Sequence, residues 1–453
     1  MPGLLDRSRT VAPFGYNRWR VPPAALAIHL SIGQAYAFSV FNLPLATLVG
    51  GNAAAPDDWK LSTIGWIFSV AIVFLGLSAS TFGRWLEEAG PRKAMLASAV
   101  CFATGFVVSA LGVRLHEIWL LYAGYGVIGG IGLGLGYISP VSTLIKWFPD
   151  RPGMATGLAI MGFGGGAMIG SPLAVALMKY FGTNGSSGVA EAMLAMGLIY
   201  FAFMLFGVFT VRLPAPGWAP GPRRGWAVQR TQPPTDVHVN AAVRTRDFWL
   251  LWCVLCLNVT AGIGVLGQAS PMIQEMFPAR ISAEAAAGFV GLLSLANMAG
   301  RFVWSSFSDA IGRPRTYMVY FALGAVLYAL VPSTGRAGDV VLFVLFYGVI
   351  MSMYGGGFAT IPAYLRDRFG VMHVGAIHGR LLTAWSLAGV AGPVLVNYLR
   401  EYQIGRGIAK ADAYSFTMYL MAALLVVGFA CNWAVASRPV GGTRITRSEG
   451  QVS

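Results

Sequence analysis

The chain has 453 residues, is 56% hydrophobic and only 11% charged, and carries a formal net charge of +14. Soluble domains hold about 25% charged residues, so this composition excludes an ordinary soluble domain. Apolar runs near the ~20 residues that span a bilayer recur along the whole length. Backbone polar groups inside lipid must pair within their own segment, so these runs are expected to be helices.

Residues 1–21 carry Arg7, Arg9, Arg18 and Arg20 and form an expected cytoplasmic segment. The first apolar run, 22–49, contains Pro44 and is too long for a signal-peptide core, so it reads as a retained first helix. Five more runs follow, at 61–82, 94–113, 118–144, 154–178 and 192–211, and complete a six-helix bundle over 22–213. Residues 214–246 are rich in Pro, Gly and Arg without helical period and read as a cytoplasmic linker. Six further runs, at 248–272, 285–307, 317–331, 340–363, 375–398 and 414–436, make a second bundle over 247–437, before a tail at 438–453. The expected fold is therefore all-α: twelve transmembrane helices in two six-helix bundles.

The halves repeat. Glu87 and Asp309 lie 222 residues apart, as do Gly90 and Gly312, Pro140 and Pro362, Gly153 and Gly375, and Gly157 and Gly379. One offset shared by five pairs marks two copies of one unit. With both termini and the even-numbered connections inside, 22 of the 32 Lys and Arg residues fall on the cytoplasmic side and 8 outside. That bias follows the positive-inside rule. The net charge therefore points to anionic lipid rather than to nucleic acid as a partner. The expected location is the cell (inner) membrane.

Several motifs have plainer readings. Cys253 and Cys256 form a C-x-x-C, but inside an apolar run cysteine acts as a small apolar side chain. The run "GFGGGA", 162–167, fits a dinucleotide pattern, yet no strand precedes it. Small residues at that spacing let membrane helices approach closely. No metal cluster, phosphate loop or nucleophile–base pair occurs at membrane depth, so neither cofactor nor enzymatic activity is expected.

After the second and eighth spans come "GRWLEEAGPRK", 83–93, and "SSFSDAIGRPR", 305–315. Each has an acid three residues before a glycine, then basic residues. These loops resemble the signature loop of the major facilitator superfamily, G-x-x-x-D-R-x-G-R-[RK]. Glu87 replaces its Asp, Glu88 its Arg, and Pro91 intrudes. The resemblance implies a latch of Gly83, Glu87, Gly90, Arg92, Asp309, Gly312 and Arg313; the plainer reading is a charged turn. The turn "KWFPDRPG", 146–153, with "LNVTAGIGVLGQASPMIQEMF", 257–277, and "HGRLLTAWSLAGVAGP", 378–393, is similar to the oxalate/formate antiporter family, a relative of the monocarboxylate transporters. It implies alternating access, with substrate held between the halves.

Arg301 is the principal candidate. A charge at membrane depth costs at least ~2.5–3.5 kcal/mol and usually faces a cavity and a partner. Asn297 lies one turn away, and none of the 18 acidic residues lies deep in a span. The missing counter-ion is then the substrate, since a guanidinium forks onto a carboxylate. The plainer reading is snorkelling to the interface. The resemblance gives the same role to this arginine. Oxalate carriers of the family have a lysine in the eleventh helix, whereas Trp385 occupies that neighbourhood here. One deep cation suits a monocarboxylate of the lactate, pyruvate or formate type, with Trp385 over its tail. Proton-coupled relatives have an aspartate where Asn297 stands, which leaves His29 and His378 as titratable candidates. Gln34, Tyr36, Asn42, Tyr137, Asn258, Gln268 and Tyr354 are candidate cavity groups, each alone more often a helix–helix hydrogen bond. The expected function is a secondary carrier or exchanger of small carboxylates, working as a monomer. Open alternatives are a dicarboxylate antiporter and a sensor that keeps the fold without flux.

Overall fold

The computed structural model describes residues 3–50, 55–183, 187–220, 236–278 and 280–437. The expected tail, 438–453, and the middle of the expected linker, 221–235, lie outside the described residues. Twelve long helices follow in chain order among those described. The first bundle comprises α1 (Arg18–Leu45), α2 (Leu61–Ala89), α3 (Pro91–Leu115), α4 (Ile118–Trp147), α5 (Pro152–Phe181) and α6 (Val189–Thr210). The second comprises α7 (Arg246–Met276), α8 (Ala283–Ile311), α9 (Arg313–Ala337), α10 (Val340–Phe369), α11 (Val374–Gly405) and α12 (Ser415–Ala436). Eleven are long and apolar enough to cross a bilayer. The other, α8, has 29 residues and carries Asn297 and Arg301.

Most helices extend past the apolar runs that mark them, because their ends are polar residues that still close backbone hydrogen bonds. Three depart from regular winding. In α1, Gly33–Phe41 tightens to a 3-10 helix where Gly33 presses on the α5 backbone at Phe163. In α4, glycine-rich Tyr122–Gly129 loosens to a π-helix. In α11, the winding breaks at Leu382.

The face from which α1 starts and to which α12 returns, here the near face, is closed by α2 against α11 and α5 against α8. The closure is reciprocal. Glu87, at the end of α2, accepts from the backbone N–H of Gly375 at the start of α11, at 3.2 Å. Asp309, at the end of α8, accepts from the N–H groups of Gly153 and Met154 at the start of α5, both at 2.9 Å. Glu87 and Asp309 are repeat partners, and so are Gly375 and Gly153. Each bundle therefore caps a helix of the other with its own copy of the same acid, as a two-fold relation requires. An anion at a helix N-terminus is worth typically 0.3–1 kcal/mol, and up to about 2 when partly buried.

One of the two expected basic partners takes its place in the latch and the other does not. Arg313 pairs with Asp309 at 2.5 Å and with Asp367 at 3.2 Å. Arg92 instead donates to the carbonyls of Val208, in its own bundle, at 3.1 Å and of Leu4, in the N-terminal segment, at 2.6 Å. Its place beside Glu87 is taken by Lys146, at 2.6 Å. Glu88 faces solvent and pairs with Arg84. Gly83 lies against the Ala376 backbone across the bundle boundary. Gly90 and Gly312 both adopt φ of 90°, which L side chains avoid, and stop α2 and α8.

The same two-fold brings the deep helices together. A Cβ on Gly157 would meet the backbone oxygen of Arg301 at 2.7 Å, and one on Gly379 would collide with that of Ala79. Arg301 and Ala79 are again 222 residues apart. Small residues here let α5 ride directly on the α8 segment that carries the arginine.

Weakening a crossed cap should open the near face. With the four native cysteines replaced, Ala376→Cys is buried against Gly83. Glu87→Gln is expected to raise its labelling by a polar maleimide severalfold; unchanged labelling would show that the cap does not hold this face.

Candidate functional site

Arg301 is 0% exposed. At 1.5 Å per residue it lies about 15 Å from the near-face end of α8 and about 27 Å from the other end. Its side chain is enclosed among α1, α5, α8 and α10. Nε donates to Asn297 Oδ1 at 2.8 Å, and Nη1 to the backbone carbonyl of Ile160, on α5, at 3.3 Å. Nη2 is buried with no hydrogen-bond partner. The guanidinium stands over three rings, Phe358 at 5.3 Å, Phe163 at 5.5 Å and Tyr36 at 6.0 Å. No carboxylate among the described residues pairs with it. The rings offer a favourable electrostatic face but no charge, and a desolvated cation–π contact is worth about 2 kcal/mol.

On the far side of Arg301, between the bundles, is a cavity of about 80 Å³. Tyr36, Ser39, Gly164 and Ala167 line it from the first bundle, and Leu266, Val290, Ser294 and Asn297 from the second. At about 10–15 Å³ per water-sized group, it holds roughly five to eight of them. Tyr36 and Asn297 touch the cavity on one side and the guanidinium on the other. Above the arginine, the Tyr36 hydroxyl meets that of Tyr354, on α10, at 3.3 Å and bridges the bundles. Chemically the arrangement suits a small anion: one buried cation, held in place, with an unpartnered nitrogen, close to a cavity that two of its neighbours line.

A family model, described as Major Facilitator Superfamily, matches residues 24–393. The chain belongs to the Major Facilitator Superfamily. Similar curated relatives include an oxalate:formate antiporter of Oxalobacter formigenes, 26% identical over 83% of each chain. Another is monocarboxylate transporter 11 of Homo sapiens, 26% identical over 81% of this chain and 76% of its own. Apicoplast pyruvate carrier 1 of Toxoplasma gondii is 24% identical over 85% and 78%. Among solved structures, the human organic anion transporter MFSD10 superposes with a TM-score of 0.67 at 16% identity, over 92% of this chain and all of that one. FucP in its outward conformation gives 0.66 at 13%, with the same coverage. This multi-pass facilitator is thus a transporter and not an enzyme.

The facilitator gathers some of the expected site residues and separates others. Tyr36, Tyr137, Asn297, Arg301, Tyr354 and Trp385 come together. Trp385 packs on Phe358 at 4.4 Å, Tyr137 at 5.3 Å and Phe163 at 5.4 Å. Gln34 points into the first bundle, where its Oε1 accepts from Tyr125 at 2.8 Å. Asn258 borders a void of about 20 Å³ inside the second bundle. Asn42 lies near the far end of α1 with its Oδ1 unpartnered, and Gln268 is half-buried two residues beyond Leu266. His29 Nε2 bonds the Tyr137 carbonyl at 3.2 Å, whereas both ring nitrogens of His378 are buried without partners. Arg380 reaches Asn240 near the linker at 3.0 Å and stays out of the site.

Sequence reasoning missed Phe163 and Phe358, which look like any other aromatic residue of a span. One signal was available: Phe163 and Trp385 are themselves 222 residues apart. They are one position of the repeat, turned inward from both bundles.

Asn297 holds the guanidinium through a neutral oxygen. Asn297→Asp puts a carboxylate at that distance and supplies an internal counter-ion. Anion affinity, measured as half-saturation of uptake at neutral pH, is expected to fall at least about tenfold, the loss that follows from weakening a charge-assisted bond. Unchanged half-saturation would place the substrate elsewhere.

Proposed function

We propose that this facilitator moves small monocarboxylates, of the lactate, pyruvate or formate type, by alternating access across the cell's inner membrane. Its near face is cytoplasmic, and its carboxylate site is Arg301. The observation that carries this reading is the buried guanidinium with a free Nη2 and no acidic partner among the described residues, next to a cavity between the bundles. With Nε and one hydrogen of Nη1 engaged, the guanidinium still has the hydrogens of Nη2 and one of Nη1 for an end-on pair of bonds to a carboxylate. The cavity volume suits an anion of a few heavy atoms. Exchange follows from the same charge: an empty carrier keeps an uncompensated cation in low dielectric, while a loaded one does not.

The second reading, a dicarboxylate antiporter, is favoured by the relative named for oxalate and formate. A dianion calls for a second deep cation. Among the described residues the only Lys or Arg packed against the cavity or its rings is Arg301.

The test is uptake of radiolabelled lactate and oxalate into proteoliposomes, preloaded or empty, with wild type and Arg301→Gln. Lactate uptake is expected in wild type, to rise severalfold with preloading, and to vanish in the variant. A variant that transports normally refutes the assignment of Arg301, and uptake of oxalate alone refutes the monocarboxylate reading.

A further inference from the structure

The most exposed large apolar side chain among the described residues lies before the first span. It is Phe14, at 85%. Single exposed apolar residues are ordinary, so the setting decides what this one means. Residues 13–16 form a tight turn, closed by the Tyr16 N–H donating to the Pro13 carbonyl at 3.2 Å. Gly15 takes φ of 80° within it, which leaves Phe14 at the tip. The chain is fixed on both sides of the turn. Before it, Leu213 donates to the Thr10 carbonyl and accepts from the Ala12 N–H, both at 2.8 Å. Lys93 pairs with Asp6 at 2.8 Å, and Arg7 Nη1 donates to the Glu87 carbonyl at 2.9 Å. After it, Arg18 pairs with Asp150 at 2.6 Å, and Trp19 packs on Phe148 at 5.0 Å while staying half exposed.

These contacts place the segment at the outer rim of the near face. Leu213 follows α6, and Lys93 belongs to the first turn of α3. Both helices turn apolar side chains outward: Val100 on α3 and Phe203, Phe206 and Phe209 on α6 are exposed. On a multi-pass protein, apolar surface of that extent is covered by lipid. The segment therefore lies where those faces end and the headgroups begin. Its charge is of one sign. Arg7, Arg9, Arg18 and Arg20 stand against Asp6 alone, and Lys93 engages that acid. Arg9 and Arg20 are exposed and form no ion pair among the described residues. Arg212, next to Leu213, donates to the carbonyls of Val211 at 2.9 Å and Phe209 at 3.0 Å, which leaves its charge uncompensated. Aromatic rings settle at the boundary between headgroups and acyl chains, and a guanidinium forks onto a phosphate.

We propose that residues 4–20 are an anchor for the anionic lipid of the cytoplasmic leaflet. Phe14 and Trp19 enter the headgroup boundary, and Arg9, Arg20 and Arg212 hold lipid phosphates. This rests on the reading of the near face as cytoplasmic, the side on which the leaflet is negative. The turn is already held by its contacts with the first bundle, so binding lipid orders little further chain. Each arginine near such a surface is worth about fivefold in binding. The same segment carries the contacts to Glu87 and Asp150. Lipid held here therefore grips the first bundle at the end of α2 and just past the end of α4.

The experiment uses the full chain with its native cysteines replaced and Phe14→Cys carrying a nitroxide, whose ring takes the place of the phenyl group. The protein is placed in nanodiscs of phosphatidylcholine, alone or with one quarter phosphatidylglycerol. Collisions of the label with oxygen, which concentrates in lipid, are compared with those of a polar nickel chelate. With the anionic lipid the oxygen-to-nickel ratio is expected to be severalfold higher than in phosphatidylcholine alone. Adding Arg9→Gln and Arg20→Gln, both at exposed positions, is expected to return it to the phosphatidylcholine value. A ratio typical of water in both discs overturns the anchor, and so does a label shielded from both reagents, which is covered by protein. A high ratio in both discs that the arginine variants leave unmoved shows apolar contact without recognition of charge, and overturns the assignment to anionic lipid. In intact cells an impermeant maleimide is expected to leave Phe14→Cys unlabelled. Labelling there overturns the cytoplasmic reading of the near face, whereas the discs, which have no sidedness, test the anchor alone.

Discussion

A guanidinium buried between the two bundles, with no carboxylate beside it among the described residues, constrains everything around it. Taking a charge out of water costs several kcal/mol even after the protein relaxes. Arg301 recovers part of that from Asn297, from the Ile160 carbonyl and from three ring faces. Each partner comes at a packing requirement. The Ile160 carbonyl can be reached only because α5 lies directly on α8 at Gly157, and the ring faces require Phe163, Phe358 and Tyr36 to arrive from three helices. None of these neutralises the charge. The protein is thus folded around an electrostatic deficit that an anion entering from the cavity would remove.

The acids that might have filled this deficit are used at the near face. Glu87 and Asp309 sit on helix N-termini of the opposite bundle, where backbone N–H groups and a basic side chain satisfy them. Their role there depends on ionised oxygens accepting from both bundles at once, so the closure is a set of polar contacts that can break and re-form in water. Apolar packing of the same area would not be reversible in that way. Negative charge is thus kept at the face and positive charge in the middle among the described residues.

Much of this was legible in the sequence, for physical reasons. Lipid makes each span apolar throughout, so the helices stand out. The 222-residue offset then relates α2 to α8 and α5 to α11 by spacing alone. Arg301 stood out because charge is so costly there. What the sequence did not show was direction around the helix. Gln34 and Tyr36 are two residues apart on a helix of about three residues per turn, so they point about 120° apart. Tyr36 faces the cavity, and Gln34 therefore faces Tyr125 inside its own bundle. Asn258 sits at the repeat position of Tyr36 yet borders the interior of the second bundle. Lys146 was hidden for another reason. Its link to Glu87 joins two helices whose ends meet only in the fold.

The repeat also explains why the site is lopsided. Its two-fold places Ala79 opposite Arg301, Leu75 opposite Asn297 and Phe163 opposite Trp385. Only the last pair keeps its chemical character, as rings that meet near the axis. Charge and amide belong to the second bundle alone, and the first bundle answers with Tyr36, Tyr137 and Phe163. An anion seated here would be held by hydrogen bonds and charge to one bundle and by aromatic faces to the other. Hydrogen bonds to Arg301 are directional, whereas contact with a ring face tolerates sliding. On the proposed reading of Arg301, an anion held this way would stay registered on α8 while the first bundle moves across it.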